Sequence, residues 1–124
     1  TKESNFAIIT DLGFGSEYLL RSISNLNSIV IECNHADTML NKSDYPESLK
    51  NRIGSNYGHL NNKEAARILK SLKKNNLNFI GAAHLSEKNN DPNLVKRELS
   101  FAVSKDESFI KIIDQDDGLN WTTV

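Results

Sequence analysis

The 124-residue chain has a single cysteine, Cys33. An internal disulfide is excluded, so the fold does not depend on an oxidising compartment. No apolar run approaches the roughly 18 residues of a membrane span. No basic-then-apolar signal segment opens the chain. An excess of one charge is also lacking: 15 Lys+Arg stand against 16 Asp+Glu, for a net charge of −1. That balance argues against binding duplex nucleic acid by bulk positive charge. These absences lead us to expect a soluble, cytoplasmic protein with no membrane partner. The hydrophobic fraction of 38% and charged fraction of 25% are a little polar but globular. The length suits one domain, or part of one. The chain opens on Thr1 and a strand-like run begins at Phe6, so we expect further sequence upstream.

Phe6 to Thr10 is apolar and β-branched and stops at Asp11-Leu12-Gly13-Phe14-Gly15, the pattern of a buried strand ended by a turn. Ser16 can cap a helix carrying Leu19, Leu20, Ile23 and Leu26. Ile29-Val30-Ile31 is a second strand, running into Glu32-Cys33-Asn34-His35. Met39 and Leu40 suggest a short helical turn, and Pro46 suits the first position of a helix over Glu47 to Ile53. Asn61 followed by Glu64 is a capping-box variant. Ala65, Ile68, Leu69 and Leu72 then mark one helical face, with Lys70, Lys73 and Lys74 near its end. Leu77 to Ala83 is a third strand, followed at once by His84. Asp91-Pro92 caps a helix bearing Leu94, Val95, Leu99 and Ala102. Ser108 to Ile113 is a fourth strand, after which Trp121 can pack back. The alternation predicts an α/β fold with parallel or mixed pairing. The asparagine-rich patches, Asn75 to Asn78 and Asn89-Asn90, read as loop edges.

Asp11, the Glu32–His35 run and His84 all lie at predicted strand ends. In α/β sheets ligands bind in the crevice at the carboxyl ends of the strands. Residues distant in sequence therefore converge there, and a carboxylate with an imidazole suits Zn²⁺, Mn²⁺ or Fe²⁺. Each residue also has a plainer reading. Asp11 can be a turn former, His84 a polar strand terminator, His59 a loop residue, and Cys33 a small buried hydrophobe. Gly13-x-Gly15 lacks the Lys-Ser/Thr of a phosphate loop and the third glycine of a dinucleotide fingerprint. Ser16 and Ser86 have no nucleophile-elbow context.

A set of short motifs occurs in one order. It runs Thr10-Asp11-Leu12-Gly13, Ile31-Glu32-Cys33-Asn34-His35-Ala36-Asp37, Met39-Leu40, Tyr45-Pro46 and Leu49-Lys50-x-Arg52-Ile53. Gly58-His59-Leu60-Asn61-Asn62 and Ala83-His84-Leu85-Ser86-x-x-Asn89-Asn90 complete it. Over roughly residues 6 to 113 this set resembles the second half of metallo-β-lactamase-fold hydrolases, in the YycJ-like (WalJ-like) branch. The resemblance implies an αββα sandwich, a mixed sheet flanked by helices, with a site for two divalent metal ions, Zn or Mn. By position, Asp11 resembles the aspartate that bridges the metals and His84 the last histidine ligand. His59 resembles a histidine of the related ribonuclease Z that helps protonate the leaving group and pairs with a glutamate, here Glu32. Asn61 stands where a serine is usual, and His35 has no ligand counterpart.

The family's other ligands lie in a His-x-His-x-Asp-His run plus a further histidine, all in the first half of the fold. This chain has three histidines and no such run. Catalytic zinc needs about three protein ligands and a dinuclear site more, so Asp11 and His84 alone would leave it open. Either an N-terminal half is absent from these 124 residues or a second chain, which could be another copy, covers that face. The resemblance further implies hydrolysis of a phosphodiester by a metal-bound hydroxide, with His59 as general acid. It points to nuclease activity that trims DNA from a 5′ end. Two alternatives stand beside it: a non-catalytic half-domain that only associates with a partner, or an ester or thioester hydrolase on the same fold.

Overall fold

A computed structural model describes residues 3–120. The expectation about Trp121 lies outside the described residues. Strands β1 (Phe6–Ile9), β2 (Ser28–Glu32), β3 (Phe79–Ala83) and β4 (Ile110–Ile112) form a sheet in chain order. All three pairings are parallel. The mixed sheet expected for the whole sandwich is thus parallel over these strands, because each connection contains a helix that carries the chain back to the same edge. Helix α1 (Glu17–Ser22) joins β1 to β2; α2 (Asp37–Lys42), α3 (Glu47–Ile53) and α4 (Asn62–Lys70) lie between β2 and β3; α5 (Pro92–Val103) joins β3 to β4.

Unbroken strand order with crossovers of one hand places the helices on one face of the sheet. Residues alternate between faces along each strand. Ile9, Ile29, Ile31, Ile80, Ala82 and Ile110 share the covered face and pack with Ala65, Ile68, Leu69, Val95, Leu99 and Val103 in one core. Each fully buried Ile, Leu or Val side chain among them contributes about 1.5–3 kcal/mol. The register sets Phe6 beside Ser28 and Phe79, and Ile8 beside Val30 and Gly81, on the opposite face. There Phe6 is 47% and Ile8 64% exposed.

The helix signals hold with local shifts. Ser16 accepts from Leu19 N and caps α1, but the helix ends at Ser22, so Ile23 and Leu26 are buried from the turn that follows. Pro46 precedes α3 as its cap, one position earlier than expected. Asn61 caps α4 by accepting from Glu64 N at 2.7 Å. The Glu64 side chain does not close the box; it accepts from Gly15 N at 3.0 Å and from Arg67. That is a better use of a carboxylate when a charged donor lies one turn away. Helix α4 stops at Lys70, and Lys74 falls in a separate 3₁₀ turn, Lys74–Asn76. Asp91 accepts from Asn93 N, with Pro92 as the first residue of α5.

Candidate metal and acid–base site

Asp11 lies two residues past β1, Glu32 is the last residue of β2, and His84 follows β3 directly. Asp11 and His84 have left-handed backbones, φ 58° and 55°. That conformation is uncommon for residues other than glycine and clusters at functional sites. His59 sits on the loop between α3 and α4. The sheet therefore presents three chain segments at one rim, and the α3–α4 loop supplies a fourth.

Glu32 joins them. It is fully buried, and a buried carboxylate must be hydrogen-bonded. Its Oε2 accepts from Asp11 N at 3.0 Å, with Leu60 N at 3.5 Å. Its Oε1 lies 2.8 Å from His59 Nδ1 and 3.6 Å from His84 Nδ1. The His59 contact is a hydrogen bond and the His84 contact is longer than one. Asp11 Oδ1 lies 4.0 Å from the same His59 nitrogen. The other three candidate residues from the sequence, Asp11, His59 and His84, thus gather around the Glu32 carboxylate. The sequence pairs Glu32 with His59 alone; its reach to the Asp11 backbone and toward His84 emerges only in three dimensions.

Two glycines lock this rim. A Cβ on Gly58 would lie 2.1 Å from Ile53 O, and one on Gly13 would lie 2.2 Å from Ser55 O. The end of α3 therefore packs on both the His59 loop and the loop after Asp11. Gly13 serves close backbone approach, in keeping with the absence of phosphate-loop residues around it. His59 N donates to Ile53 O at 3.0 Å and fixes the same junction.

His35 is 1% exposed and makes no hydrogen bond to any of the four side chains; its Nδ1 lies 3.3 Å from Asn34 Oδ1. Its backbone pairs with the α4 entrance: Asn62 N donates to His35 O, and Asn34 N donates to Leu60 O. Burial pushes its imidazole below the ordinary value, against a smaller opposing pull from Asp37. Cys33 is completely buried, and burial pushes its thiol far up, as for an inert apolar residue.

Asparagines missed by the sequence reading brace the loops behind the site. Asn62 and Asn90 exchange amide hydrogen bonds at 2.8 and 2.9 Å, both buried, and Asn90 also donates to Cys33 O at 2.7 Å. Asn34 Nδ2 donates to His84 O at 3.1 Å, and Ala36 N donates to Asn89 O. Asn89-Asn90 is not a mere loop edge; the Asn89 carbonyl and the buried Asn90 amide hold the chain just past β2. The signal available in the sequence was its place within the ordered motif set.

Asp11, Glu32 and His59 each offer one ligand atom, all within 4.8 Å of one another. With Glu32 already hydrogen-bonded, the exposed Asp11 carboxylate, the exposed His84 imidazole and the partly exposed His59 imidazole are open to a ligand. Carboxylate and imidazole donors fit a divalent ion such as Zn²⁺ or Mn²⁺, and they fit part of a centre rather than a closed one. Among the described residues no helix is long and apolar enough to cross a membrane.

No protein-family model matches the sequence. The chain is 37% identical over 94 residues to exodeoxyribonuclease YycJ of Bacillus anthracis, covering 76% of this chain and 36% of that protein. It is 33% identical over 88 residues to exodeoxyribonuclease WalJ of Streptococcus pneumoniae, covering 71% of this chain and 33% of that protein. The chain thus spans about a third of the length of these relatives. In fold it is similar to the metallo-β-lactamase fold protein YhfI of Bacillus subtilis, with a TM-score of 0.60 at 18% identity over 92% of this chain and 38% of that one. The strand-end geometry, this shared fold and these two relatives together make the chain a YycJ/WalJ-like member of the metallo-β-lactamase fold family.

Proposed function

We propose that the chain is the C-terminal half of a divalent-metal hydrolase that trims DNA from a 5′ end, completed by an N-terminal half carrying the His-x-His-x-Asp-His run. The observation that carries this reading is the buried Glu32 carboxylate, which holds the Asp11 backbone and His59 and lies 3.6 Å from His84. A fold that needed only a turn former, a loop residue and a polar strand terminator would not bury a carboxyl group to tie them together. The names of the two relatives supply the substrate class, DNA.

In this reading Asp11 and His84 hold two ions, Zn or Mn, together with ligands from the other half. Bound divalent ions supply Lewis acidity at a phosphoryl oxygen and lower the pKa of a water. His59 donates a proton to the leaving oxygen. Its Nδ1–H is held by Glu32 Oε1, which orients the ring and leaves Nε2 for the substrate. Glu32 alternates onto the same sheet face as Val30 and, across the register, Ile8. That face exposes Phe6 and Ile8, an apolar surface that a covering half would bury. A half docked there meets the rim where the ligand set is incomplete. The single buried cysteine suits a cytoplasmic location.

The test uses the protein joined to its N-terminal half. Asp11→Ala should strip bound metal, measured by elemental analysis. His59→Ala should keep the metal and lower DNA turnover by about 10²–10⁴-fold. Stoichiometric metal in Asp11→Ala, or activity on esters and not on DNA, overturns the assignment.

A further inference from the structure

A cleft of about 330 Å³ opens beside the site, lined by Asp11 and His59 together with Arg52 and Tyr57. Its size is at the lower end of the roughly 300–1,000 Å³ range of small-ligand pockets, so it takes one nucleotide-sized unit rather than a long run. Two features of its lining lack an internal explanation. Tyr57 is 100% exposed, an aromatic ring that gains contact only from something outside the chain. The other cations on and near this helix are engaged: Lys50 pairs with Glu47 and donates to Asn41 O, and Arg67 pairs with Glu64. Among the described residues Arg52 has no such carboxylate partner.

The lining is built, not incidental. Ser55 Oγ–H donates to Arg52 O at 2.9 Å, and Tyr57 N donates to Ser55 Oγ at 3.3 Å. Gly58 N donates to Ser55 O and His59 N to Ile53 O. The close approaches at Gly58 and Gly13 add backbone-to-backbone contacts on both sides. The backbone of Arg52 and Tyr57 is thereby held in fixed relation to His59 and to the loop after Asp11. A guanidinium and a free phenol ring flanking an acid–base pair are the two elements by which proteins hold single-stranded nucleic acid: charge on the backbone and stacking on a base. A net charge of −1 makes such local contacts the main source of affinity.

We propose that this cleft receives the terminal nucleotide of a single-stranded DNA end, with Arg52 on its phosphate and the Tyr57 ring stacked on its base. The inference rests on the hydrolase reading above and adds the subsite that positions the strand. Neither residue touches the reacting atoms; both are positioning residues.

The experiment titrates the protein joined to its N-terminal half into a fluorescein-labelled, 5′-phosphorylated single-stranded DNA tetramer and follows anisotropy. EDTA is present, so the outcome does not depend on metal. Tyr57→Ala and Arg52→Ala should each weaken binding about fivefold or more, and Tyr57→Phe should restore it. Arg52→Ala should also reduce the slope of log affinity against log salt by about 0.7–1, while Tyr57→Ala leaves that slope unchanged. Both side chains are exposed, so folding is not at risk. Binding equal to wild type in both variants overturns the proposal, as does a wild-type chain that does not bind. Either result leaves the hydrolase reading to be decided by the metal content of Asp11→Ala.

Discussion

His59 Nδ1 stands 2.8 Å from Glu32 Oε1, while the other oxygen of that carboxylate accepts from the backbone of Asp11 at 3.0 Å. One buried side chain thus supports two loops. Glu32→Ala should leave three donors without their acceptor, Asp11 N, Leu60 N and His59 Nδ1. It should cost about 1–3 kcal/mol, because only the Leu60 donor is fully buried and water can reach the other two. Glu32→Gln keeps one acceptor and should cost less than half as much. Urea denaturation of the two variants checks the order. Equal losses would show that Glu32 acts by filling space and not by accepting hydrogen bonds.

Gly58 and Gly13 leave no room for a methyl group, because the nearest atoms are backbone and cannot swing aside. Gly58→Ala and Gly13→Ala should each destabilise by about 1–3 kcal/mol through overpacking. Gly118, with open space around it but φ +65°, should lose only about 1 kcal/mol on the same change. Thermal unfolding of the three variants distinguishes steric exclusion from backbone conformation.

Asn62 and Asn90 satisfy each other in a buried site where water cannot substitute. Asn62→Ala and Asn90→Ala should each cost about 1–3 kcal/mol, and the double variant less than their sum. A double-mutant cycle by chemical denaturation gives the coupling. Strict additivity would mean that the pair is not a unit.

His35 carries a depressed imidazole value, caused first by burial. Below about pH 6.5 the unfolded chain takes up a proton there that the folded chain refuses. Stability therefore holds above that pH and falls as pH drops toward the lower folded value. His35→Gln removes this uptake, so its stability should vary less across that window than that of the parent. Denaturant midpoints at several pH values measure the difference, and parallel curves would remove His35 as the cause.

Much of the architecture was legible because local chemistry agrees with it. Asp91-Pro92, Asn61 and Ser16 act as caps, and the apolar periodicity of Ala65, Ile68 and Leu69 places α4 on the core. Asp11, Glu32 and His84 could be assigned to strand ends because their strands are short β-branched or small-residue runs. The parallel pairing throughout was not readable, since the same alternation of strands and helices permits both arrangements. Asn90 was misread because a buried asparagine and a loop asparagine look alike until the partner, 28 residues away at Asn62, is in place.

The sequence by itself determined which residue types stand at which strand ends, and so the chemistry they can offer, because strand and cap signals depend on neighbours a few residues away. Only the tertiary structure decided that Glu32 is the common partner, that Gly13 and Gly58 lock α3 against the site, and that Arg52 and Tyr57 line a cleft beside His59. The widest of those relations cross 21 positions from Glu32 to Asp11, 27 from Glu32 to His59 and 42 from Gly13 to Ser55. They are set by sheet register and loop packing, which no local pattern encodes.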